Sequence, residues 1–188
     1  MDKNQLTGII LAGGLSSRMG CDKGLLPYKG KLLVEYAIDL LKPYCAEILI
    51  SSNNNEYKQF GFRLVADIYK KKGPLGGIHA ALIASKTKHS VFLSCDMPHL
   101  NSEAVEQLIR KSDPNALGCI PKYGDKLEPM FGIYSKQLLP EIEERLQYER
   151  LKMKSLILEQ PIKYVDFQKL TQKYENLFSN INHPNDLH

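Results

Sequence analysis

Short apolar runs that end on glycine or a single acidic residue, separated by helix-like stretches, constrain this chain more than any other feature. Thr7-Gly8-Ile9-Ile10-Leu11-Ala12 is the first such run and ends on Gly13-Gly14, so it reads as a buried strand feeding a glycine loop. Leu33, Tyr36, Ala37, Leu40, Leu41 and Tyr44 then mark one apolar face of a helix that stops near Pro43. Glu47 to Ser51 reads as a second strand and Arg63 to Ala66 as a short third, with Asp67 just past its end. Gly73-Pro74-Leu75-Gly76-Gly77 reads as a turn, and Ile78 to Ser85 as a helix. Ser90 to Ser94 is a fourth strand, followed by Cys95-Asp96-Met97-Pro98. Asn101 is a fitting N-cap, with Glu103 in the first turn, for a helix to about Lys111 that buries Val105, Leu108 and Ile109. Beyond it the alternation weakens. Leu117 to Pro121 and Met130 to Tyr134 look like strands, Leu138 to Tyr148 and Lys154 to Glu159 look helical, and Ile162 to Phe167 alternates like a half-exposed strand.

Strand–helix–strand repeats require parallel strands joined by crossovers. The expected fold is a single-domain, three-layer, doubly wound α/β sheet, mostly parallel, with an antiparallel element in the C-terminal part. No linker, repeat or low-complexity tract breaks the 188 residues, which are enough to bury a core. Lys and Arg number 25 against 21 Asp and Glu, a net +4 without the basic stripe of a nucleic-acid-binding module. No apolar run reaches the roughly 18 residues of a membrane span. Met1 to Gln5 does not begin a signal peptide, so a cytoplasmic location is expected. Cys21, Cys45, Cys95 and Cys119 form no CxxC, and the five histidines form no HExxH or HxH. Neither a zinc site nor a Cys/His catalytic constellation is expected, and the cysteines read as buried, neutral thiols.

In parallel sheets ligands bind at the carboxyl ends of the strands. The glycine loop, Asp67 and Asp96 would all lie on that edge. Gly13 and Gly14 let the backbone approach an anion, and Arg18 and Lys23 supply charge for phosphates, although a plain glycine turn with two solvated cations has the same look. The loop is neither a Walker A motif nor GxGxxG. A lone carboxylate such as Asp96 beside a phosphate loop suits Mg²⁺, which takes one or two carboxylates plus phosphate oxygens and waters. An Asx turn is the competing reading for Asp96, as a turn residue is for Asp67. Gly76 and its neighbours would let a planar base lie on bare backbone, or simply admit a helix. Asn180 and Asn182, at spacing two, could both face the crevice or cap a helix. Arg145, Arg150, Lys152 and Lys154 form either a rim for an anionic second substrate or a solvated helix face. Glu128-Pro129 carries a weaker signal.

Leu11–Leu26 (LAGGLSSRMGCDKGLL) resembles the signature loop of the nucleotidyltransferase superfamily. Asp67, GPLGGI at Gly73–Ile78, CDMP at Cys95–Pro98 and NIN-x-P at Asn180–Pro184 resemble, in order and spacing, the molybdenum cofactor guanylyltransferases. The chain departs from them in having Ser51-Ser52-Asn53 after the second strand, His183 where threonine is common, and no glycine near Arg150. The resemblance implies transfer of GMP from GTP to molybdopterin with Mg²⁺, releasing diphosphate. It implies nucleotide contacts at Leu11, Ala12, Gly13, Gly14, Arg18, Lys23, Asp67, Gly76 and Asp96, with Lys23 and Arg18 on the phosphates and Asp96 on the metal. Asn180, Asn182 and Arg150 would serve the acceptor. A nucleotide-binding half over about 1–112 and an acceptor half over about 113–188 follow, as do transient contacts with cofactor-delivery or acceptor proteins and none with nucleic acid or membrane. A cytidylyltransferase or sugar-phosphate nucleotidyltransferase of the same superfamily is the alternative. A Rossmann dehydrogenase is disfavoured by the missing GxGxxG and by the absence of an acidic residue after the second strand. A regulatory protein that has lost catalysis is disfavoured by the intact Lys23 and Asp96.

Overall fold

A computed structural model describes residues 1–13, 22–182 and 186. Gly14, Arg18, Cys21, His183 and Pro184, singled out above, lie outside the described residues. The strands are β1 (Leu6–Leu11), β2 (Pro27–Tyr28), β3 (Lys31–Leu32), β4 (Glu47–Ser51), β5 (Arg63–Val65), β6 (His89–Ser94), β7 (Gly118–Tyr123), β8 (Lys126–Leu127), β9 (Phe131–Ser135) and β10 (Ile162–Asp166). The helices are α1 (Leu33–Leu41), α2 (Gly73–Ala84), α3 (Ser102–Lys111), α4 (Leu139–Gln147), α5 (Met153–Glu159) and α6 (Gln168–Lys173). The main sheet runs β10-β7-β9-β6-β1-β4-β5, with β8 on β7, and β2 and β3 form a separate hairpin. Pairing is parallel from β6 through β1 and β4 to β5, and between β7 and β10. β9 runs antiparallel to both β6 and β7. The α3 crossover carries the chain from β6 to β7 and leaves a gap one strand wide, which β9 fills by returning through the short β8 turn. This is the antiparallel element expected in the C-terminal part.

The side chains of the central strands alternate between two cores, as a strand's period of two requires. Leu6 and Ile10 of β1, Ile48 and Ile50 of β4, and Val91 and Leu93 of β6 pack with α1, α3 and α6. Ile9, Leu49 and Phe92 point to the other face and pack with α2, α4 and α5. Three layers result because strands buried on both faces need a helical cover on each.

Local chemistry explains most boundaries. Asn101 Oδ1 accepts the Ala104 N–H at 3.1 Å, as an N-cap should. The α1 face is rotated from the expected one: Leu33, Val34, Ala37, Ile38 and Leu41 are buried, whereas Tyr36, Leu40 and Tyr44 are only partly covered. The largest difference is α2. The expected turn at Gly73–Gly77 is the start of the helix, not a loop before it. Gly73 adopts φ +60°, which turns the chain into the helix, and Pro74 fits a first turn because its missing N–H has no partner there anyway. A Cβ at Gly76 would lie 3.0 Å from the Tyr69 carbonyl, and one at Gly77 2.9 Å from Ser51 Oγ. Glycine is therefore used for close packing. Because α2 is covered by the sheet on one side and by α4 on the other, it is apolar all round and shows no amphipathic rhythm.

Candidate active site

The registers bring the expected strand ends together. Leu11 pairs with Ser51 and with Ser94, and Ser51 pairs with Val65. Ala12-Gly13, Ser52-Asn53, Asp67 and Cys95-Asp96 therefore leave the sheet along one edge. Gly13 has φ +133°, a conformation open to glycine and unfavourable for any side chain, and a Cβ there would also press on Ser52 Oγ at 3.0 Å.

Lys23 and Asp96 form the centre of this edge. Lys23 Nζ lies 3.5 Å from Asp96 Oδ2 and donates to Asn182 Oδ1 at 2.8 Å. Ser94 Oγ donates to the other Asp96 oxygen at 2.6 Å, which fixes the carboxylate's orientation. The C-terminal segment is tied down beside it: the Ile181 N–H donates to the Asp96 carbonyl at 2.9 Å. Ile181 itself is buried against Tyr28 and Leu33, so the small β2–β3 hairpin anchors this segment. Of the two expected amides, Asn182 faces the crevice. Asn180 is exposed, and among the described residues its side chain makes no hydrogen bond. Arg150 is also exposed and pairs with Glu144 at 2.6 Å. Arg145, read above as part of a cationic rim, is 1% exposed and belongs to the core instead. It donates to Glu141, Ser155 and Glu159 and fastens α4 to α5.

A network not anticipated from the sequence holds the Lys23 loop in place. Asp22 Oδ1 accepts the Tyr57 hydroxyl and, at 3.2 Å, the Gly24 N–H, while Oδ2 accepts Asn54 Nδ2 at 3.2 Å. Tyr57 is fully buried, and burial pushes its phenol well above the usual range, so it acts as a fixed donor. Ser52 Oγ accepts the Asn54 N–H at 3.1 Å. Asn53 bonds Asp67 twice, donating from Nδ2 at 2.9 Å and accepting the Asp67 N–H at 3.0 Å. The loop after β4 thus links the lysine end of the edge to the Asp67 end. The run Ser51-Ser52-Asn53-Asn54 carried the local signal, because such residues favour side-chain to main-chain bonds in turns. The partners it reaches, Asp22 and Asp67, are distant in sequence.

The antiparallel β9 adds one more group. The Ser94 N–H donates to the Met130 carbonyl at 3.0 Å, so the segment leading into β9 lies beside Asp96. Burial, and secondarily the Asp96 charge, pushes the Glu128 carboxyl up to about 7, against an accepting bond from the Met130 N–H. The cysteines behave as expected where described. Cys45 and Cys119 are buried with thiols pushed up to about 12, and burial raises Cys95 further still.

The donor set fits Mg²⁺. Asp96 offers one partly exposed, oriented carboxylate, and no group of three His, Cys, Asp or Glu residues able to hold a metal ion occurs among the described residues. A hard cation here would have to complete its shell with phosphate oxygens and water, the usual pattern for Mg²⁺. No helix among the described residues is long and apolar enough to cross a membrane.

The MobA-like NTP transferase domain matches residues 8–163. The probable molybdenum cofactor guanylyltransferase of Flavobacterium johnsoniae is 33% identical over 182 residues, covering 97% of this chain and 96% of that protein. The molybdenum cofactor guanylyltransferase of Vibrio campbellii is 37% identical over 193 residues, covering 100% and 95%. The crystal structure of molybdopterin-guanine dinucleotide biosynthesis protein A from Archaeoglobus fulgidus superposes with a TM-score of 0.80 at 25% identity, covering 96% of this chain and 94% of that one. With a glycine-ended first strand, a lysine beside the aspartate that follows β6 and relatives that match it along nearly its whole length, the chain belongs to the MobA-like NTP transferases, in the family of molybdenum cofactor guanylyltransferases.

Proposed function

We propose that this chain transfers the guanylyl group of GTP to molybdopterin, forming the guanine dinucleotide cofactor and releasing diphosphate. The observation that carries the reading is the contact of Lys23 with both Asp96 and Asn182 at the carboxyl ends of the parallel strands. In this reading a phosphate oxygen of the acceptor attacks the α-phosphorus of GTP, and the bond to the bridging oxygen of the β-phosphate breaks. The acceptor oxygen is already anionic, so no general base is needed. Lys23 neutralises charge on the departing diphosphate, together with Arg18, and the main chain at Leu11, Ala12, Gly13 and Gly14 cradles the nucleotide. Asp67, oriented by Asn53, faces the nucleoside, and Gly76 keeps the start of α2 close to it. Asp96 would hold Mg²⁺, whose positive charge would offset charge on the phosphates. Asn180, Asn182 and Arg150 are assigned to the acceptor side. The division into a nucleotide half over about 1–112 and an acceptor half over about 113–188, a cytoplasmic location and transient contact with cofactor-delivery proteins belong to the same proposal.

A nucleotide panel tests it. GTP with Mg²⁺ should raise the melting temperature, while ATP, CTP and UTP should not. At 100-fold saturation the gain is about 2.7 kcal/mol. Stabilisation by CTP instead would move the activity to a cytidylyltransferase, and stabilisation by none of the four would remove the nucleotide-site assignment.

A further inference from the structure

In-line displacement sets the acceptor's position. The attacking oxygen must approach the α-phosphorus from the side opposite the leaving diphosphate. In the guanylyl-transfer reading Lys23, beside Asp96, takes the diphosphate, which leaves the acceptor the stretch of the edge past β6, at β9 and β7. A cavity of about 440 Å³ lies there, in the size range of small-molecule sites. It is bounded by the β7–β8 turn, the segment entering β9 and the first turns of α5. Its walls combine three features. Tyr123 is stacked on Phe178, at 5.0 Å between centroids and 17° between planes, and the Lys126 ammonium lies over its ring at 5.9 Å from the centroid. Lys126 and Lys154 stand at the rim, both exposed. Glu128 belongs both to the cavity and to the surroundings of Asp96, and among the described residues no side chain bonds its carboxyl.

We propose that this cavity is the acceptor's heterocycle subsite, with Glu128 accepting two parallel N–H bonds from an aminopyrimidinone ring and Lys126 and Lys154 facing its anionic substituents. The proposal rests on the guanylyl-transfer reading. A ring carrying adjacent ring N–H and exocyclic NH₂ donors matches the two oxygens of one carboxylate, and such charge-assisted pairs are strong and directional. The ring lies beside Tyr123 and takes the place of the Lys126 ammonium, which turns to the ring's anionic substituents, and its phosphate tail points back to Asp96. This moves the acceptor's ring away from Arg150, which is engaged with Glu144 on the outside of α4, and leaves Asn182, bonded to Lys23 beside Asp96, to the acceptor's phosphate end.

The test compares wild type with Glu128→Gln and Lys154→Ala. The glutamine keeps the shape but presents one donor and one acceptor where two acceptors are required. Steady-state transfer should show the molybdopterin KM raised at least tenfold in Glu128→Gln and severalfold in Lys154→Ala. The thermal shift with GTP and Mg²⁺ should equal that of wild type in both. A second arm measures direct binding of fluorescent 6-hydroxymethylpterin by anisotropy. Wild type should bind it, and Glu128→Gln should lose at least tenfold. Unchanged acceptor KM with active transfer would overturn the subsite and leave guanylyl transfer standing. A fall in kcat with an altered Mg²⁺ requirement and unchanged acceptor KM would also overturn it, by assigning Glu128 to the metal. Absence of GTP stabilisation and of transfer in wild type would instead overturn the guanylyl-transfer reading, and the pterin arm would still decide the subsite on its own.

Discussion

The two sides of Asp96 are built differently. On the β1–β4–β5 side, among the described residues, the polar groups of the edge are bonded to one another: Asp22 to Tyr57, Gly24 and Asn54, Asn53 to Asp67, and Lys23 to Asn182. On the β9–β7 side an open cavity is lined by the exposed Lys126, Lys154 and Asp125 and by Glu128, and neither carboxyl has a side-chain partner among the described residues. The first side is preorganised, so charge developing in a transition state meets groups that need not reorient. The second offers shape and unspent hydrogen-bonding capacity, as a side that must admit a bulky second substrate should. Substitutions on the two sides should accordingly differ in kind. Those on the first should cost rate and stability together, and those on the second acceptor affinity.

The largest expected effect is at the boundary. Asp96→Asn keeps the shape but loses the negative charge opposite Lys23, and should lower kcat by roughly 10²–10³, measured as diphosphate release. Lys23→Ala should lower kcat by about 10² while GTP affinity falls less, because its contact tightens as the diphosphate takes up charge. A loss confined to affinity, with kcat unchanged, would mean that Lys23 binds ground and transition state alike. Tyr57→Phe tests the preorganisation itself. Removing one buried donor to a carboxylate should destabilise the chain by about 1.5–3 kcal/mol in denaturant titration. It should also weaken GTP severalfold and leave the acceptor KM untouched. A parallel rise in acceptor KM would erase the contrast between the two sides.

The last effect, confined to a pH window, is on the stability of the ligand-free chain. The Glu128 carboxyl is held at about 7 when folded, against 4.5 as its ordinary value. The folded state therefore holds this proton more tightly than the unfolded one. Its contribution is fully present below pH 4.5 and is lost as pH rises through about 7, with a ceiling of ~3 kcal/mol. Glu128→Gln should remove this slope between pH 5 and 7 in chelator-treated protein. An unchanged slope would show that Glu128 is as well solvated as an exposed carboxyl.

Much of the fold is legible along the chain because strands, caps and breakers are local. Glu47–Ser51 ends where the apolar run ends, and Asn101 caps the helix that follows it. The start of α2 was not legible: five residues rich in glycine look like a loop until Ser51, Asp67 and Tyr69 are seen pressed against them. Arg145 looked like a surface cation because its partners Ser155 and Glu159 lie on the next helix.

The sequence by itself determined that Gly13, Asp67 and Asp96 share an edge. A parallel strand's direction sends whatever follows it to the same side, and that needs only the order of apolar runs. Only the tertiary structure decided what surrounds them. Asn182 reaches Lys23 across 159 residues, Tyr57 reaches Asp22 across 35, and Glu128 arrives because β9 slots antiparallel between β6 and β7. Such meetings depend on strand order and on the packing of distant segments, and no local pattern of residues encodes them.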